Sequence, residues 1–187
     1  LRSIRADFSA ARRADCTLYA LRERLVLKSA GRYLMTHPKA ALVDIGCGLS
    51  TTLRELETEG CRYYVDLPEA IRLRNRLIPP ADGERCISFD VREREIDGIP
   101  AGDGVFFVMA GLLCHLWADE AAALLRGLAR RYPGAGMAFD GVGLKGRLRS
   151  SLPREQRLRE ITGLGGVRRV TGLPEEFGKL PAQKRLK

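Results

Sequence analysis

The stretch Ala40-Ala-Leu-Val-Asp-Ile-Gly-Cys-Gly48, followed by Leu49-Ser50-Thr51-Thr52, decides the fold of this sequence. An apolar run ends in the pattern Asp-x-Gly-x-Gly, and the residues after it are mainly polar. This order predicts a buried β-strand at residues 41–45, a tight glycine turn, and a helix over residues 51–59. Glycine is needed where the backbone takes a positive φ or where a ligand approaches the main chain closely.

A second strand that ends in an acid gives the glycine turn a more specific meaning. Tyr63-Tyr64-Val65-Asp66 is an apolar run whose acid lies 18 residues past Gly48. In nucleotide-binding folds a carboxylate at about this spacing binds ribose hydroxyls. The third glycine of the dinucleotide pattern G-x-G-x-x-G is missing, since position 51 is Thr. The turn therefore suits an adenosine ligand without a pyrophosphate, and S-adenosylmethionine is the leading candidate.

Composition limits the class of protein. The 187 residues suffice for one domain with a single core, and no apolar run reaches the roughly 18 residues of a membrane span. No signal peptide is visible, and because the first residue is Leu we expect the N-terminus to be trimmed. The five scattered cysteines form no C-x-x-C pair and the two histidines lie far apart. We therefore predict no metal site, reduced thiols and a cytoplasmic location.

The net charge of +9 is unevenly distributed. Residues 1–40 carry +6, residues 41–140 carry −5 and residues 141–187 carry +8. Basic flanks attract nucleic acid or an acidic substrate, although a solvated arginine-rich surface is the more ordinary interpretation. The few aromatic residues do not alternate with the basic residues of the tail, as a base-stacking surface requires. Nucleic-acid binding is therefore a less favoured alternative.

The remaining pattern is one of alternating strands and helices. An amphipathic helix is predicted over residues 14–35, and helices are predicted to begin at Pro68 and after Asp119. Further strands are predicted at residues 62–66, 86–90, 105–109 and 136–139. Five such units predict an α/β fold: a Rossmann-like, doubly wound, mainly parallel sheet flanked by helices.

The single domain divides into three parts by composition. Residues 1–39 form a predicted N-terminal helical cap, residues 40–141 a cofactor-binding core, and residues 142–187 a basic C-terminal region. In the last part we predict a short helix at 153–161 and a sixth strand at 167–170. Because such folds usually have another strand or two, we expect this one to be truncated on its C-terminal side.

Acids and glycines gather at one predicted edge of the sheet. Asp44, Asp66 and Asp90 end the first three strands, with Gly46 and Gly48 beside them. Ligands bind at the carboxyl ends of the strands in open α/β sheets. A lone aspartate at a strand end is more often a helix cap, but three in consecutive units favour a binding site. A sulfonium cofactor fits this set, with Asp66 on the ribose hydroxyls and Asp90 on the adenine amino group.

Four stretches carry a resemblance to a known family: HPKAALVDIGCGLSTTLREL, YYVDLPEAIRLRNRLIP, VFFVMAGLLCHL and LARRYPGAGMAFD. They resemble the class I S-adenosylmethionine-dependent methyltransferases, and more narrowly the family of leucine carboxyl methyltransferases and polyketide-biosynthesis O-methyltransferases. The resemblance extends over about residues 20–141. Its most diagnostic element is Asp66-Leu67-Pro68-Glu69 followed by Arg72 and Arg74.

This resemblance implies a role for individual residues. Gly46 and Gly48 would line the methionine part of the cofactor, and a basic residue upstream, Arg22 or Arg24, would hold its carboxylate. The other cofactor-binding residues that it implies are Asp44, Asp66, Leu67, Asp90, Val91 and Gly111.

The chain departs from the family pattern at three positions. Ala110 stands where the family has an acid before the glycine of its fourth-strand motif, which removes a partner for the cofactor's ammonium group. His115 replaces a common aromatic residue, and Ser50 replaces an Asp. A histidine at such a position is more often buried and hydrogen-bonded than catalytic, yet His115 is the only imidazole expected near the crevice.

Methyl transfer from a sulfonium is an in-line displacement that depends on positioning and desolvation. A carboxylate acceptor needs no base, whereas a phenol or enol profits from one, and His115 and Asp140 are the candidates. We therefore expect O-methylation of a small-molecule hydroxyl or carboxylate in secondary metabolism. The alternatives are an RNA or protein methyltransferase that uses the basic flanks, and a degenerate cofactor-binding or scaffold protein, which Ala110 favours. The sequence leaves the oligomeric state open.

Overall fold

The computed structural model of the chain describes residues 13–92, 96 and 98–140. Within this part lie three helices, α1 (Arg13–Leu34), α2 (Pro68–Leu77) and α3 (Ala118–Arg131). The strands are β1 (Ala41–Ile45), β2 (Arg62–Asp66), β3 (Glu84–Ser88), β4 (Val105–Met109) and β5 (Gly136–Phe139). Short 3₁₀ turns occupy Thr52–Glu55 and Leu113–His115.

The five strands form one sheet in the order β3-β2-β1-β4-β5, and every neighbouring pair is parallel. This confirms the predicted doubly wound, parallel architecture. The chain moves outward from β1 to β2 and β3, then returns past β1 to β4 and β5. A crevice therefore opens at the carboxyl ends of β1 and β4, where the strand order reverses and where such folds bind ligands.

Alternate residues of the central strands supply two cores, one on each face of the sheet. Val43 and Phe107 face α3, where Leu125 and Leu128 pack on them. On the opposite face, the neighbouring residues of the same strands, such as Leu42 and Phe106, pack with residues of α1 and α2: Val26, Ala30, Leu34 and Ile71. All five residues of β1 and of β4 are buried, as expected for central parallel strands.

The prediction of a helix over residues 51–59 is wrong, since only the 3₁₀ turn Thr52–Glu55 forms there. The chain returns to the sheet at Gly60, which packs so tightly that a Cβ would lie 2.1 Å from the carbonyl oxygen of Ala40. The Arg62 guanidinium also donates to the carbonyl oxygens of Leu53, at 3.0 Å, and Leu56. These carbonyls are thus satisfied by a side chain, and the segment is too short to continue as an α-helix.

Three predicted boundaries shift, including the start of the third strand, which lies at Glu84 instead of residue 86. The third strand ends at Ser88 and not at Asp90, because its register with β2 stops where Ser88 pairs with Asp66. Helix α3 begins at Ala118, so Asp119 lies in its first turn instead of capping it. The N–H of Trp117 donates to the Glu120 carboxylate at 2.7 Å, and Glu120 therefore closes the start of the helix.

The other helices agree with the sequence pattern. Helix α1 ends at Leu34, within one residue of its predicted end, and α2 has Pro68 in its first turn, as predicted. In the part of the chain that the structure describes, no helix is long and apolar enough to cross a membrane. The predicted helix at 153–161 and strand at 167–170 lie outside the described residues. The division into three parts and the C-terminal truncation therefore stay predictions.

Candidate functional site

The glycine turn lies at the carboxyl end of β1 and needs its glycines for backbone conformation. Gly46 has φ +73° and Gly48 has φ +47°, in the left-handed region that other residues rarely adopt. A Cβ on Gly46 would lie 3.0 Å from the Leu112 side chain, whereas a Cβ on Gly48 would meet no described atom within 4 Å. Gly48 therefore presents an open stretch of main chain to the crevice.

Asp66 joins this turn to the start of α2. Its Oδ2 accepts the N–H of Gly48 at 2.7 Å, and its Oδ1 accepts the N–H of Leu67 at 2.8 Å. The side chain of Leu67 is largely exposed beside it. The structure thus brings together three residues that the sequence predicted for one site, and both carboxylate oxygens retain capacity for a further hydrogen bond.

Asp44 is buried in the strand that leads into the turn, with 4% of its surface exposed. Burial raises the pKa of its carboxyl from 3.8 to about 7. The Ser50 side chain and the positive charges of Arg74 and Arg22 lower this pKa, while the negative charge of Asp66 raises it. Near neutral pH Asp44 is therefore poised between its neutral and ionised forms, so a bound cation would favour the carboxylate.

Arg22, Asp140 and Gly111 meet at the other side of the crevice. Arg22 Nη1 donates to Asp140 Oδ2 at 3.1 Å, and the same oxygen accepts the N–H of Gly111 at 2.7 Å. This contact joins α1 to the ends of β4 and β5. Arg22 Nε and Asp140 Oδ1 are buried and have no hydrogen-bond partner among the described residues. Of the two predicted basic residues, Arg22 lies in the site, while Arg24 is exposed on α1.

A cavity of about 150 Å³ lies between α1 and the glycine turn. Charged and polar side chains on its wall include Arg22, Asp44 and Ser50. Gly46 and Ala110 add small residues from the ends of β1 and β4. The wall therefore combines a cation and a buried carboxyl group, which is the pattern that an amino-acid zwitterion requires.

Asp90 and Val91 lie beyond the end of β3, away from this cavity. The Arg92 guanidinium and its backbone N–H both bond to the Asp90 carboxylate and hold its pKa low, at about 2. Val91 lines a separate groove of about 450 Å³ along α3, together with Phe89 and Leu124. An adenine contact at Asp90 would require the adenine amino group and Arg92 to share the carboxylate as their acceptor, so this role stays a prediction.

His115 ends the 3₁₀ turn that follows Gly111, and its side chain is exposed. The interpretation of His115 as a buried, hydrogen-bonded side chain is therefore wrong. The imidazole is free of the core and belongs to the segment that leaves the carboxyl end of β4. The described residues contain no group of three or more His, Cys, Asp or Glu side chains that could hold a metal ion, and the absence of a metal site stays a prediction.

The contacts of Arg74 were not predicted from the sequence, in which this residue only marks a resemblance. Arg74 is 1% exposed and donates from Nη1 to the carbonyl oxygens of Gly48, at 3.0 Å, and Ser50, at 2.7 Å. The available signal was its position three residues after Ile71, on the core-facing side of α2. An arginine at a position where an apolar residue is expected needs a buried partner, and the carbonyls of the glycine turn are that partner.

The sequence is similar to a characterised enzyme. It is 33% identical over 147 residues to the tetracenomycin polyketide synthesis O-methyltransferase TcmP of Streptomyces glaucescens, a match that covers 76% of this chain and 54% of that protein. The chain thus spans about half the length of this relative. No family model matches the chain.

Two solved structures share the fold at low sequence identity. The N-methyltransferase NodS from Bradyrhizobium japonicum WM9 has a TM-score of 0.51 at 13% identity, over 81% of this chain and 78% of NodS. Human N-acetylserotonin methyltransferase, in complex with S-adenosylmethionine, has a TM-score of 0.50 at 17% identity, over 78% of this chain and 42% of that enzyme. Its parallel sheet and its sequence similarity to TcmP thus give the chain the fold of the class I S-adenosylmethionine-dependent methyltransferases.

Proposed function

We propose that the protein transfers a methyl group from S-adenosylmethionine to an oxygen atom of a small molecule, a hydroxyl or a carboxylate. The observation that carries this proposal is the pairing of Gly48 with Asp66 beside a cavity lined by Arg22 and Asp44. Support for oxygen as the acceptor comes from the relative TcmP, which is described as an O-methyltransferase of polyketide synthesis.

The residues present fit the cofactor part by part. Arg22 would hold the carboxylate of the methionine moiety, and its buried, unpartnered Nε fits such a ligand. Asp44, which lines the same cavity, would face the ammonium group and so compensate for the missing acid at Ala110. Asp66 would accept the two ribose hydroxyls, with Leu67 against the sugar. Gly46 lines the cavity, Gly48 leaves the main chain accessible, and Gly111 places the Asp140 side chain beside Arg22.

The chemistry follows from these positions. When bound, S-adenosylmethionine supplies an electrophilic methyl group on a sulfonium. The chain has to orient the acceptor oxygen in line with that methyl group, exclude water and, for a hydroxyl acceptor, receive its proton. His115 is the better placed proton acceptor, since its side chain is exposed after β4. Asp140 is the second candidate, because its Oδ1 is buried without a partner among the described residues.

The acceptor is proposed to be an aromatic or enolic small molecule. Tyr19 and Trp117 support this choice, since both are largely exposed aromatic side chains. The Tyr19 ring lies 4.9 Å from the Arg22 guanidinium, and Trp117 precedes the start of α3. We also propose that the protein works in a reducing compartment such as the cytoplasm, because its five cysteines have no paired spacing.

Calorimetry followed by a turnover assay tests the proposal. The protein should bind S-adenosylhomocysteine at micromolar to sub-millimolar concentration and should show no binding of NADH. A panel of polyphenols and carboxylic acids with labelled cofactor should then give transfer of the label to oxygen. Binding without any turnover would favour the degenerate, non-catalytic alternative that Ala110 suggests, and tighter binding of NADH would overturn the assignment of the site.

A further inference from the structure

Arg74 is the largest side chain among the fully buried residues of the described structure. It lies in the middle of α2, whose other arginines, Arg72 and Arg76, are exposed. Burying a guanidinium is unfavourable unless its charge and its N–H groups find partners. Its presence on the core-facing side of a short helix therefore requires a reason other than packing.

The partners of Arg74 are both carbonyls of the glycine turn. Nη1 donates to the oxygen of Gly48 at 3.0 Å and to that of Ser50 at 2.7 Å. The N–H of the same Gly48 donates to Asp66. The Gly48 N–H thus donates to a carboxylate and the Gly48 carbonyl accepts from a guanidinium, and both side chains come from the β2–α2 unit. The conformation of the glycine turn is set by that unit.

A second group of contacts fixes the orientation of Arg74. Its guanidinium stacks on the ring of Tyr64, with 3.7 Å between Cζ and the ring centroid. The Tyr64 hydroxyl lies 3.3 Å from Glu84 Oε1, and Glu84 forms an ion pair with Arg54, in the 3₁₀ turn directly after the glycine turn. Stacking needs the planar guanidinium, so a lysine at this position would keep the charge and lose the orientation.

The remaining atoms of Arg74 indicate that it is not retained for stability. Nε and Nη2 are buried and have no hydrogen-bond partner among the described residues. An apolar side chain of similar length would avoid that cost. Arg74 is costly to bury, and its hydrogen bonds go to the glycine turn beside the cavity. A role in the conformation of that turn therefore explains its presence better than stability does.

We propose that Arg74 is a positioning residue for cofactor binding: it fixes the Gly48 peptide so that the Asp66 carboxylate is held toward the ribose hydroxyls. This inference rests on the proposed function, because it names how the same site is organised. Arg74 does not itself line the cavity, whose wall it contacts only through the Ser50 carbonyl, and it acts through Gly48 and Asp66.

A double-mutant cycle measures this coupling. Arg74→Met should weaken binding of S-adenosylhomocysteine by about 10- to 100-fold, the loss expected for one or two charge-assisted hydrogen bonds. The matched control Arg72→Met, two residues along the same helix and exposed, should change affinity by less than about twofold. In an Asp66→Asn background Arg74→Met should cost little more, since residues that act as one unit are not additive. Fully additive losses would overturn the proposal.

A measurement without ligand separates this proposal from the proposed function. By hydrogen exchange, the amides of residues 46–52 should exchange faster in Arg74→Met while those of α3 stay unchanged. Unchanged exchange in the turn would overturn the positioning role even if affinity fell. If wild type binds no S-adenosylhomocysteine, the proposed function fails, and with it the ribose part of the inference, while exchange still decides whether Arg74 holds the turn.

Arg74→Lys is a second variant that tests the proposal even if Arg74→Met does not fold. Lysine keeps the positive charge but lacks the planar guanidinium that stacks on Tyr64. The affinity of Arg74→Lys for S-adenosylhomocysteine should therefore lie between those of wild type and Arg74→Met. Affinity equal to wild type would show that charge alone suffices and would contradict the geometric role.

Discussion

The buried carboxyl of Asp44 gives the protein a pH-dependent stability that Asp44→Asn should remove. The substitution replaces a group whose pKa rises to about 7 on burial with a neutral side chain of the same shape. Below the ordinary pKa of 3.8 the carboxyl is protonated in both the folded and the unfolded state, so the two proteins should have similar free energies of unfolding. Above pH 7 wild type has to keep a carboxylate in a buried place, and the variant does not.

The magnitude follows from linkage between protonation and folding. In the pH range between the ordinary pKa of 3.8 and the folded value of about 7, the folded state holds a proton that the unfolded state has lost. Stability therefore falls as pH rises through this range, by roughly 1.4 kcal/mol per pH unit. Between pH 5 and pH 8 the variant should gain about 2–3 kcal/mol relative to wild type, or roughly 5–10 °C in Tm.

Urea unfolding of both proteins at pH 5, 6, 7 and 8 measures this difference. Asp82→Asn is the matched control, because Asp82 is an exposed acid in a turn and its variant should follow wild type at every pH. A difference between Asp44→Asn and wild type that stays constant from pH 5 to pH 8 would mean that Asp44 is ionised throughout, and the burial argument would be refuted.

The same carboxyl predicts a proton effect on ligand binding. If Asp44 faces the ammonium group of the cofactor, binding near pH 7 should stabilise the carboxylate and release a proton. The calorimetric enthalpy of S-adenosylhomocysteine binding should then depend on the ionisation enthalpy of the buffer. Asp44→Asn should lose this buffer dependence and bind more weakly.

Three further substitutions test the other side chains of the site. Asp66→Ala should weaken cofactor binding by about 10- to 1,000-fold and also lower the Tm by a few degrees, because the carboxylate accepts two backbone N–H groups; unchanged affinity by calorimetry would contradict the assignment. Gly48→Ala should cost about 1 kcal/mol in urea unfolding for its φ of +47°, and should lose more than that in affinity if the ligand approaches the open face. His115→Ala should lower kcat for a phenolic acceptor by about 100-fold or more and leave cofactor affinity intact, whereas equal turnover would transfer the role of base to Asp140.

The fold was predictable because its signals are local and repeated. Five apolar runs, each followed by a polar or glycine-rich turn, fix a parallel sheet without any knowledge of long-range contacts. The helix expected after the glycine turn failed for a reason that the pattern does not contain. Gly60 packs against the main chain of Ala40, and Arg62 donates to two carbonyls of the segment between the glycine turn and β2. That segment is therefore too short for an α-helix.

The site was predictable where it depends on strand ends, and less so where it depends on side chains from distant elements. Asp66 and Gly48 follow from the alternation of strands and turns, and the structure places them in contact. Sequence predicted Arg22 and Asp140 for separate tasks, and their ion pair spans 118 residues of chain. No short-range spacing encodes such a pair, because α1 reaches the end of β5 only after the whole sheet has formed.

The charges around the cavity explain why one chain tolerates an alanine at position 110. Arg22 is partly neutralised by Asp140, and the positive charge of Arg74 lowers the pKa of Asp44 from the other side. Two ionisable groups of the wall, Arg22 and Asp44, are thus each influenced by an opposite charge. A zwitterionic ligand would then meet one cation and one acid that are both held in place before it binds, which lowers the cost of ordering them. On this account the acid at the end of β1 takes over the electrostatic part of the acid missing from the end of β4, and Arg74 keeps that acid ionisable.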